Sequence, residues 1–83
     1  MKTAFIISGK SDEIAKNIML QMGRGVTSLK ATGMYTGDEK RLLFVVVSAK
    51  EVHKLKTLVK EIDESAFVAI SETKEVLGEG FEI

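Results

Sequence analysis

Three glycine-rich segments, at positions 23–27, 33–37 and 78–81, hold the residues of this sequence best suited to binding chemistry. Glycine leaves backbone N–H groups open to an approaching anion, and the guanidinium of Arg24 can hold a carboxylate or phosphate through two parallel hydrogen bonds. None of the segments matches a P-loop or a GxGxxG fingerprint. They indicate an anion site of unspecified kind, unless the glycines serve only turns and helix ends.

The predicted ligand site combines residues from all three segments. Arg24 and Thr27 would hold the anion, and the loop around Tyr35 would lie beside it. Because Arg24 falls in a loop between a helix and a strand, we expect its side chain to be exposed and to contribute little to folding. The full set of candidate ligand-binding residues is Arg24, Gly25, Thr27, Gly33, Tyr35, Thr36, Gly37, Gly78 and Gly80.

Residue sets for catalysis or metal binding are missing from the sequence. His53 is the single histidine and there is no cysteine, so neither type supplies a second metal ligand. No serine occupies a GxSxG elbow, and the carboxylates are scattered over positions expected to face solvent. We predict a protein that is not an enzyme and has no catalytic residues, metal or cofactor.

Length and charge narrow the class of protein further. The chain of 83 residues suffices for one domain, assigned to residues 1–83, and oligomerisation is a common source of extra stability for so small a core without disulfides. Its 12 basic and 12 acidic residues balance, so no net field attracts nucleic acid. No apolar run approaches the roughly 20 residues that span a bilayer. A membrane-spanning segment could still precede this chain in a longer protein.

The first half of the chain predicts a strand, a helix and a second strand. Residues 4–7 form a short apolar run that ends in a turn, and Ser11 is the expected cap of the helix that follows. Gly23 or Gly25 supplies the left-handed residue that ends this helix. Residues 26–35 alternate loosely as a second strand, before a turn at 36–39.

The second half predicts a strand, a helix and a strand. Residues 41–47 form the third strand and pair with the second as a hairpin. Ser48 and Glu51 have the spacing of a capping box, which begins the second helix. Residues 66–70 form the fourth strand, and we expect a helical turn and a loop in the tail. The inner side of the second helix should carry Val52, Leu55, Leu58, Val59 and Ile62.

This order predicts an α+β, ferredoxin-like βαββαβ fold, with a four-stranded antiparallel sheet and both helices on one face. The first, third and fourth strands are apolar at odd and even positions alike, so the helix-free face also needs a cover. We expect a homo-oligomer, a dimer or a trimer, with that face at its centre. The alternative is that the tail folds back over it. RNA-recognition modules share this fold, but the basic and aromatic pattern they use is missing here.

The runs GRGVTSLKATGMYTG, VVVSAKEVHKLKTLVKEID, AFVAI and EVLGEGF resemble the C-terminal cytosolic domain of the YitT-type bacterial membrane proteins, a domain of unknown function. The resemblance covers about residues 6–81. It implies a ferredoxin-like fold akin to the PII-type signalling proteins, which bind small ligands between subunits of a trimer, and an attached membrane region. The family pattern falls on Gly23, Arg24, Gly25, Val26, Thr27, Gly33, Tyr35, Thr36, Glu75, Val76, Leu77, Gly78, Gly80 and Phe81.

Two functional hypotheses follow from the residues and the resemblance together. In the first, the chain is a regulatory or ligand-sensing domain on the cytoplasmic side of a membrane protein and binds a small anionic metabolite or nucleotide. In the second, it is a non-catalytic oligomerisation or interaction module with no ligand. A ligand that raises the melting temperature would distinguish the first from the second.

Overall fold

A computed structural model, which describes residues 1–78, has the predicted order of strands and helices. The sheet is antiparallel with strand order β2-β3-β1-β4, so the ferredoxin-like fold is confirmed. The elements are β1 (Lys2–Ile7), α1 (Ser11–Met22), β2 (Thr27–Thr32), β3 (Glu39–Val47), α2 (Val52–Ile62) and β4 (Phe67–Glu72), with a single 3₁₀ turn (Ala49–Glu51) before α2.

The start of α1 differs from the prediction, whereas its end agrees. Lys10 is the N-cap and makes no side-chain capping bond, so the prediction that Ser11 caps α1 is wrong. Ser11 is instead the buried first residue of α1, and its hydroxyl lies 2.8 Å from the carbonyl oxygen of Ser8 and 3.2 Å from that of Arg41. The hydroxyl thereby ties α1 to the turn after β1 and to β3. Gly23 ends α1 in the left-handed conformation, with φ 64°.

The capping box before α2 is confirmed. The backbone N–H of Ser48 donates to Oε1 of Glu51 at 2.8 Å, and the serine side chain in turn receives the backbone N–H of Glu51. The 3₁₀ turn leads directly into α2, whose apolar residues recur every three or four positions and so share one side. Leu55, Leu58 and Val59 are buried on that side, and Val52 and Ile62 pack partly buried against the core.

The core lies between the two helices and one face of the sheet. Ile6 and Leu43 lie opposite each other on β1 and β3, and both are fully buried. Ile14 and Ile18 of α1 cover them together with the apolar side of α2. The complete core is Ala4, Ile6, Ile14, Ile18, Leu43, Val45, Val47, Leu55, Leu58, Val59 and Ala66.

The helix-free face of the sheet is also apolar. Side chains alternate along a strand, so Phe5 and Ile7 lie on this face with their partners Phe44 and Leu42. The rings of Phe5 and Phe44 have their centroids 5.7 Å apart, and Phe67 on β4 is 61% exposed. The prediction that β1, β3 and β4 carry apolar residues on both faces is therefore confirmed.

The hairpin between β2 and β3 begins earlier than predicted. β2 ends at Thr32 and not at position 35, because the N–H of Gly33 donates to the carbonyl of Asp38 at 2.8 Å and closes the turn there. Gly37 has φ 78°, a left-handed conformation that suits glycine. Between these glycines, Met34 and Tyr35 project fully into solvent.

The tail after β4 folds back toward the helix-free face. The N–H of Thr73 donates to the carbonyl of Met1 at 2.9 Å, directly beyond Lys2 and Glu72, which are the last pair of β1 and β4. The tail then runs to Leu77, which lines a cleft with Phe44. It contains no helical turn up to position 78, so that prediction is wrong for the described part of the tail.

Candidate functional site

A cleft of about 330 Å³ lies between the linker that follows α1, the end of β3 and the tail. Four of the predicted ligand-binding residues line it, and they come from two of the three glycine-rich segments. These four are Arg24, Gly25, Thr27 and Gly78. The other lining residues are Val26, Phe44, Val45, Val46, Val76 and Leu77.

The cleft exists because β2 is shorter than β3. The first residue of β2, Thr27, pairs with Phe44, whereas β3 continues to Val47 and pairs there with β1 alone. The linker at Gly25 lies beside Val46 without extending the strand pairing, since β2 begins only at Thr27. The sheet therefore has a notch at this corner, and the tail forms its other wall.

Val46 offers the notch a backbone donor and acceptor. The carbonyl of Met1 accepts a hydrogen bond from Thr73 and therefore points toward β4. The direction of the backbone groups alternates along a strand, so those of Thr3 and Phe5 also point toward β4. Val45 and Val47 must then bond to β1, which leaves the N–H and C=O of Val46 directed toward the side of β2, past its first residue. Sequence reasoning missed Val46, because the second strand predicted at 26–35 was longer than the third at 41–47 and gave no sign of a notch.

Arg24 is largely buried and ion-paired, contrary to the expectation that it is exposed. Its Nη2 lies 2.6 Å from Oε1 of Glu51 and its Nε lies 3.4 Å from Oε2, and 12% of the side chain is exposed. The left-handed turn at Gly23 directs the linker across the start of α2, where Glu51 completes the capping box with Ser48. Arg24 thus fastens the linker to α2, and an anion in the cleft would share its charge with Glu51.

The same contacts make Glu51 a stronger acid. Foremost the hydrogen bond from Arg24, and then those from the backbone and side chain of Ser48, lower the pKa of Glu51 from 4.5 to about 2. Each of these donors stabilises the ionised carboxylate, and together they outweigh the opposing effect of partial burial.

We expect this pKa shift to make stability depend on acidity. Glu51 has a lower pKa folded than unfolded, so its contribution is complete above about pH 4.5 and is lost as the pH falls toward about 2. Urea unfolding of the wild type and of Glu51→Gln, measured between about pH 7 and about pH 2, isolates this contribution from those of other carboxylates. The wild type should lose roughly 1–3 kcal/mol more than the variant. Equal losses in both proteins would show that Glu51 is unperturbed.

The hairpin residues of the predicted site do not reach the cleft within one chain. Gly33 lies six positions after Thr27, at the far end of an extended strand, and this is a separation of roughly 20 Å. Tyr35 projects still further away. The candidate residues Gly33, Tyr35, Thr36 and Gly37 are therefore apart from Arg24, and Gly80 lies outside the described residues.

A second, wider concavity of about 720 Å³ lies at the start of α1, opposite the base of the hairpin. Its walls carry charges of both signs, from Lys10, Asp12 and Arg41 among others, so the charges largely offset one another. Within residues 1–78, no group of three or more histidine and carboxylate side chains is placed to hold a metal ion. This concavity has no feature that selects a ligand.

The lining of the cleft suits binding without chemistry. Phe44 and Leu77 offer apolar surface for a flat group, and Thr27 and the backbone of Val46 offer hydrogen bonds at its edge. Arg24 and its partner Glu51 lie at the end of the cleft. Among the lining residues, no nucleophile lies beside a base.

Fold and cleft together define a ferredoxin-like domain with a small binding notch at one corner of its sheet. The family described as "Uncharacterized protein conserved in bacteria (DUF2179)" matches residues 24–78, and the chain belongs to this family. The matched region contains the linker, β2, β3 and the described tail, which together supply the lining residues of the cleft.

The curated relatives include several bacterial membrane proteins. The chain is 49% identical over 80 residues to the UPF0750 membrane protein YpjC of Bacillus subtilis (strain 168) and 45% identical to YvjA of the same organism, and in each case the aligned region is 96% of this chain. YitT of B. subtilis is 37% identical over 76 residues, so the predicted relationship to YitT-type proteins is confirmed. The chain spans about 28% of the length of YpjC and YvjA. Up to position 78 it has no helix long and apolar enough to cross a membrane.

Two solved structures share the fold. A DUF2179 protein from Eubacterium ventriosum superposes with a TM-score of 0.73 at 31% identity, over 84% of this chain and 96% of that one. A functionally unknown protein from Pediococcus pentosaceus superposes with a TM-score of 0.76 over 93% of this chain, but at 11% identity, which is evidence for the fold alone.

Proposed function

We propose that this chain is a regulatory, non-catalytic domain on the cytoplasmic side of its parent membrane protein, and that it binds a small anionic ligand in the cleft. The convergence of Arg24, Gly25, Thr27 and Gly78 around one notch carries the proposal. Two separate segments of the family match meet there, and of their lining residues only Val26 also packs against the core.

The chemistry of the cleft favours a ligand with a flat apolar part and a negatively charged part. Phe44 and Leu77 would contact the flat part, and the N–H and C=O of Val46 would bond to its edge. The charged part would lie against the guanidinium of Arg24, which is also paired with Glu51. A nucleotide has both parts, and so does an aromatic carboxylate.

Thermal-shift screening with nucleotides and aromatic carboxylates tests the proposal. A ligand present at about 100 times its dissociation constant adds about 2.7 kcal/mol to the free energy of unfolding. For a domain of this size that raises the melting temperature by roughly 10 °C or more. Calorimetric titration of each active compound then gives its stoichiometry and affinity.

A matched pair of glycine variants locates the binding. An added Cβ at Gly25 or at Gly9 meets no atom within 4 Å, and neither residue has a positive φ, so we expect both positions to accept leucine. Gly25→Leu fills the cleft and should abolish binding, whereas Gly9→Leu changes only the second concavity and should not. The proposal is wrong if no compound shifts the melting temperature, or if Gly9→Leu alone removes the shift.

The apolar helix-free face favours a second candidate, an assembly module without a ligand. Phe67 and Leu29 are 61% and 46% exposed on that face. A group of large apolar side chains exposed together on one face is typical of a surface that binds another protein. In this case the melting temperature would rise with protein concentration, and no compound in the screen would raise it.

A further inference from the structure

Two neighbouring rows of side chains cross the helix-free face of the sheet. The first row joins Thr27, Phe44, Phe5 and Ala69, and the second joins Leu29, Leu42, Ile7 and Phe67, in the strand order β2-β3-β1-β4. We call these eight residues the apolar patch. All of them except Thr27 are apolar, and none of them is fully buried.

The tail limits the patch on one side only. The next row contains Val46 and Thr3, and the tail lies over it, because the hydroxyls of Thr3 and Thr73 are hydrogen-bonded and Leu77 reaches the Phe44–Val46 edge. On the other side the sheet ends at Lys40 and Ala31, where the hairpin begins. A partner must therefore avoid the raised tail and fit the two flat rows.

We propose that a second copy of this chain packs its own apolar patch on this one, about a two-fold axis that lies parallel to the sheet and across the strands, between the two rows. This axis places the first row of each copy on the second row of the other copy. It also places the tail of each copy over the hairpin end of the other, so the two raised tails do not meet.

Side-chain sizes in the two rows are complementary under this axis. On the edge strands a large residue meets a small one, since Phe67 faces Ala69 of the second copy and Leu29 faces Thr27 of the second copy. On β1 and β3 the contacts are Phe5 with Ile7 and Phe44 with Leu42. A two-fold axis along the strands would instead oppose Phe67 to Leu29, Ala69 to Thr27 and tail to tail, and would leave gaps at the small pair.

The dimer brings the hairpin to the cleft. The cleft lies beyond the first row at the β2 and β3 corner, and the hairpin lies beyond the second row at the same corner. Exchange of the rows places Ala31 of the second copy over Gly25, so residues 33–37 of that copy begin at the level of Gly23, at the end of the cleft that holds Arg24. The eight candidate ligand-binding residues that lie within residues 1–78 are then divided between two copies, and this part of the inference rests on the proposed function.

The area of the patch predicts a weak dimer. Two rows over four strands cover roughly 19 by 14 Å. The contacts of each tail with the hairpin end of the other copy increase this area to about twice that value. The total remains below the roughly 1,600 Å² of a stable interface, so we expect a dissociation constant between about 10 µM and about 1 mM. Attachment to a membrane protein would raise the effective concentration of the domain, so weak pairing would suffice.

Sedimentation velocity of the 83-residue chain without ligand, from about 10 µM to about 1 mM, tests the dimer separately from the cleft. Phe67→Glu and Ala69→Lys should each raise the dissociation constant at least roughly tenfold, because each buries a charge in the interface. An equimolar mixture of the two variants should dimerise again, since Glu at position 67 then faces Lys at position 69. Melting temperatures of the separate variants verify that both fold.

A second measurement keeps the test decisive if a charged variant unfolds. The chain has no cysteine, so Phe67→Cys mixed with Ala69→Cys should be joined by a short bis-maleimide faster than Phe67→Cys mixed with Leu29→Cys. The proposal is overturned if the wild type sediments as a monomer throughout the concentration range. It is also overturned if Phe67→Glu is rescued by Leu29→Lys and not by Ala69→Lys, because that result places the axis along the strands.

Discussion

Replacement of Arg24 by alanine is expected to lower the free energy of unfolding by about 2–3 kcal/mol, although Arg24 lies in a loop. The substitution leaves the carboxylate of Glu51, which is three-quarters buried, without the donor that contributes most to its low pKa. It also releases the linker from the start of α2. For a domain of this size, the melting temperature should fall by roughly 8–20 °C.

Matched variants distinguish the effect of losing the ion pair from the effect of losing any long, positively charged side chain. Arg41→Ala removes an exposed arginine from β3 that forms no ion pair with any residue up to position 78, and should change the free energy of unfolding by less than about 0.5 kcal/mol. Arg24→Lys keeps the charge but loses the planar pair of donors, so it should recover only part of the stability. Denaturant unfolding of the three variants makes the comparison. If Arg24→Ala is as stable as the wild type, the ion pair is not structural and the cation remains available mainly to a ligand.

The elements of the fold were accessible to sequence reasoning because each has a local cause. The periodicity of Leu55, Leu58 and Val59 defines the inner side of α2, and the Ser48–Glu51 capping box defines its start. The wrong predictions concern residues whose role is set by a contact with a distant part of the chain. Ser11 has the chemistry of a cap, but its hydroxyl donates to carbonyls of the turn after β1 and of β3, which the spacing of the sequence does not show.

The candidate site was less accessible for the same physical reason. The glycines at positions 23, 25 and 78 could be recognised as special, and two of them do line the cleft. The pairing of Arg24 with Glu51 joins residues 27 positions apart, and only the left-handed turn at Gly23 explains it. The separation of Arg24 from the hairpin follows from the length of β2, which the early turn at Gly33 sets.

The largest loss of stability is expected on the helix side of the sheet, and neighbouring isoleucines of β1 provide the comparison. Ile6 is fully buried against both helices, so Ile6→Ala should cost about 2–5 kcal/mol through lost apolar contacts and the cavity left behind. Ile7 is the same residue type one position later, but it lies half-buried on the apolar patch, and Ile7→Ala should cost about 1 kcal/mol in the monomer.

The dependence of the melting temperature on protein concentration also distinguishes the two faces of β1. Ile6→Ala should lower the melting temperature equally in dilute and concentrated solution, since both states of assembly bury Ile6. Ile7 faces Phe5 of the second copy in the proposed dimer, so Ile7→Ala should also remove the rise in melting temperature that the wild type gains on concentration. Should Ile6→Ala unfold the chain outright, Ile6→Val, at about 0.5–1.5 kcal/mol, replaces it. Equal costs for the two alanine variants in dilute solution would mean that the tail covers Ile7 as completely as the helices cover Ile6, and the apolar patch would then have no room for a second copy.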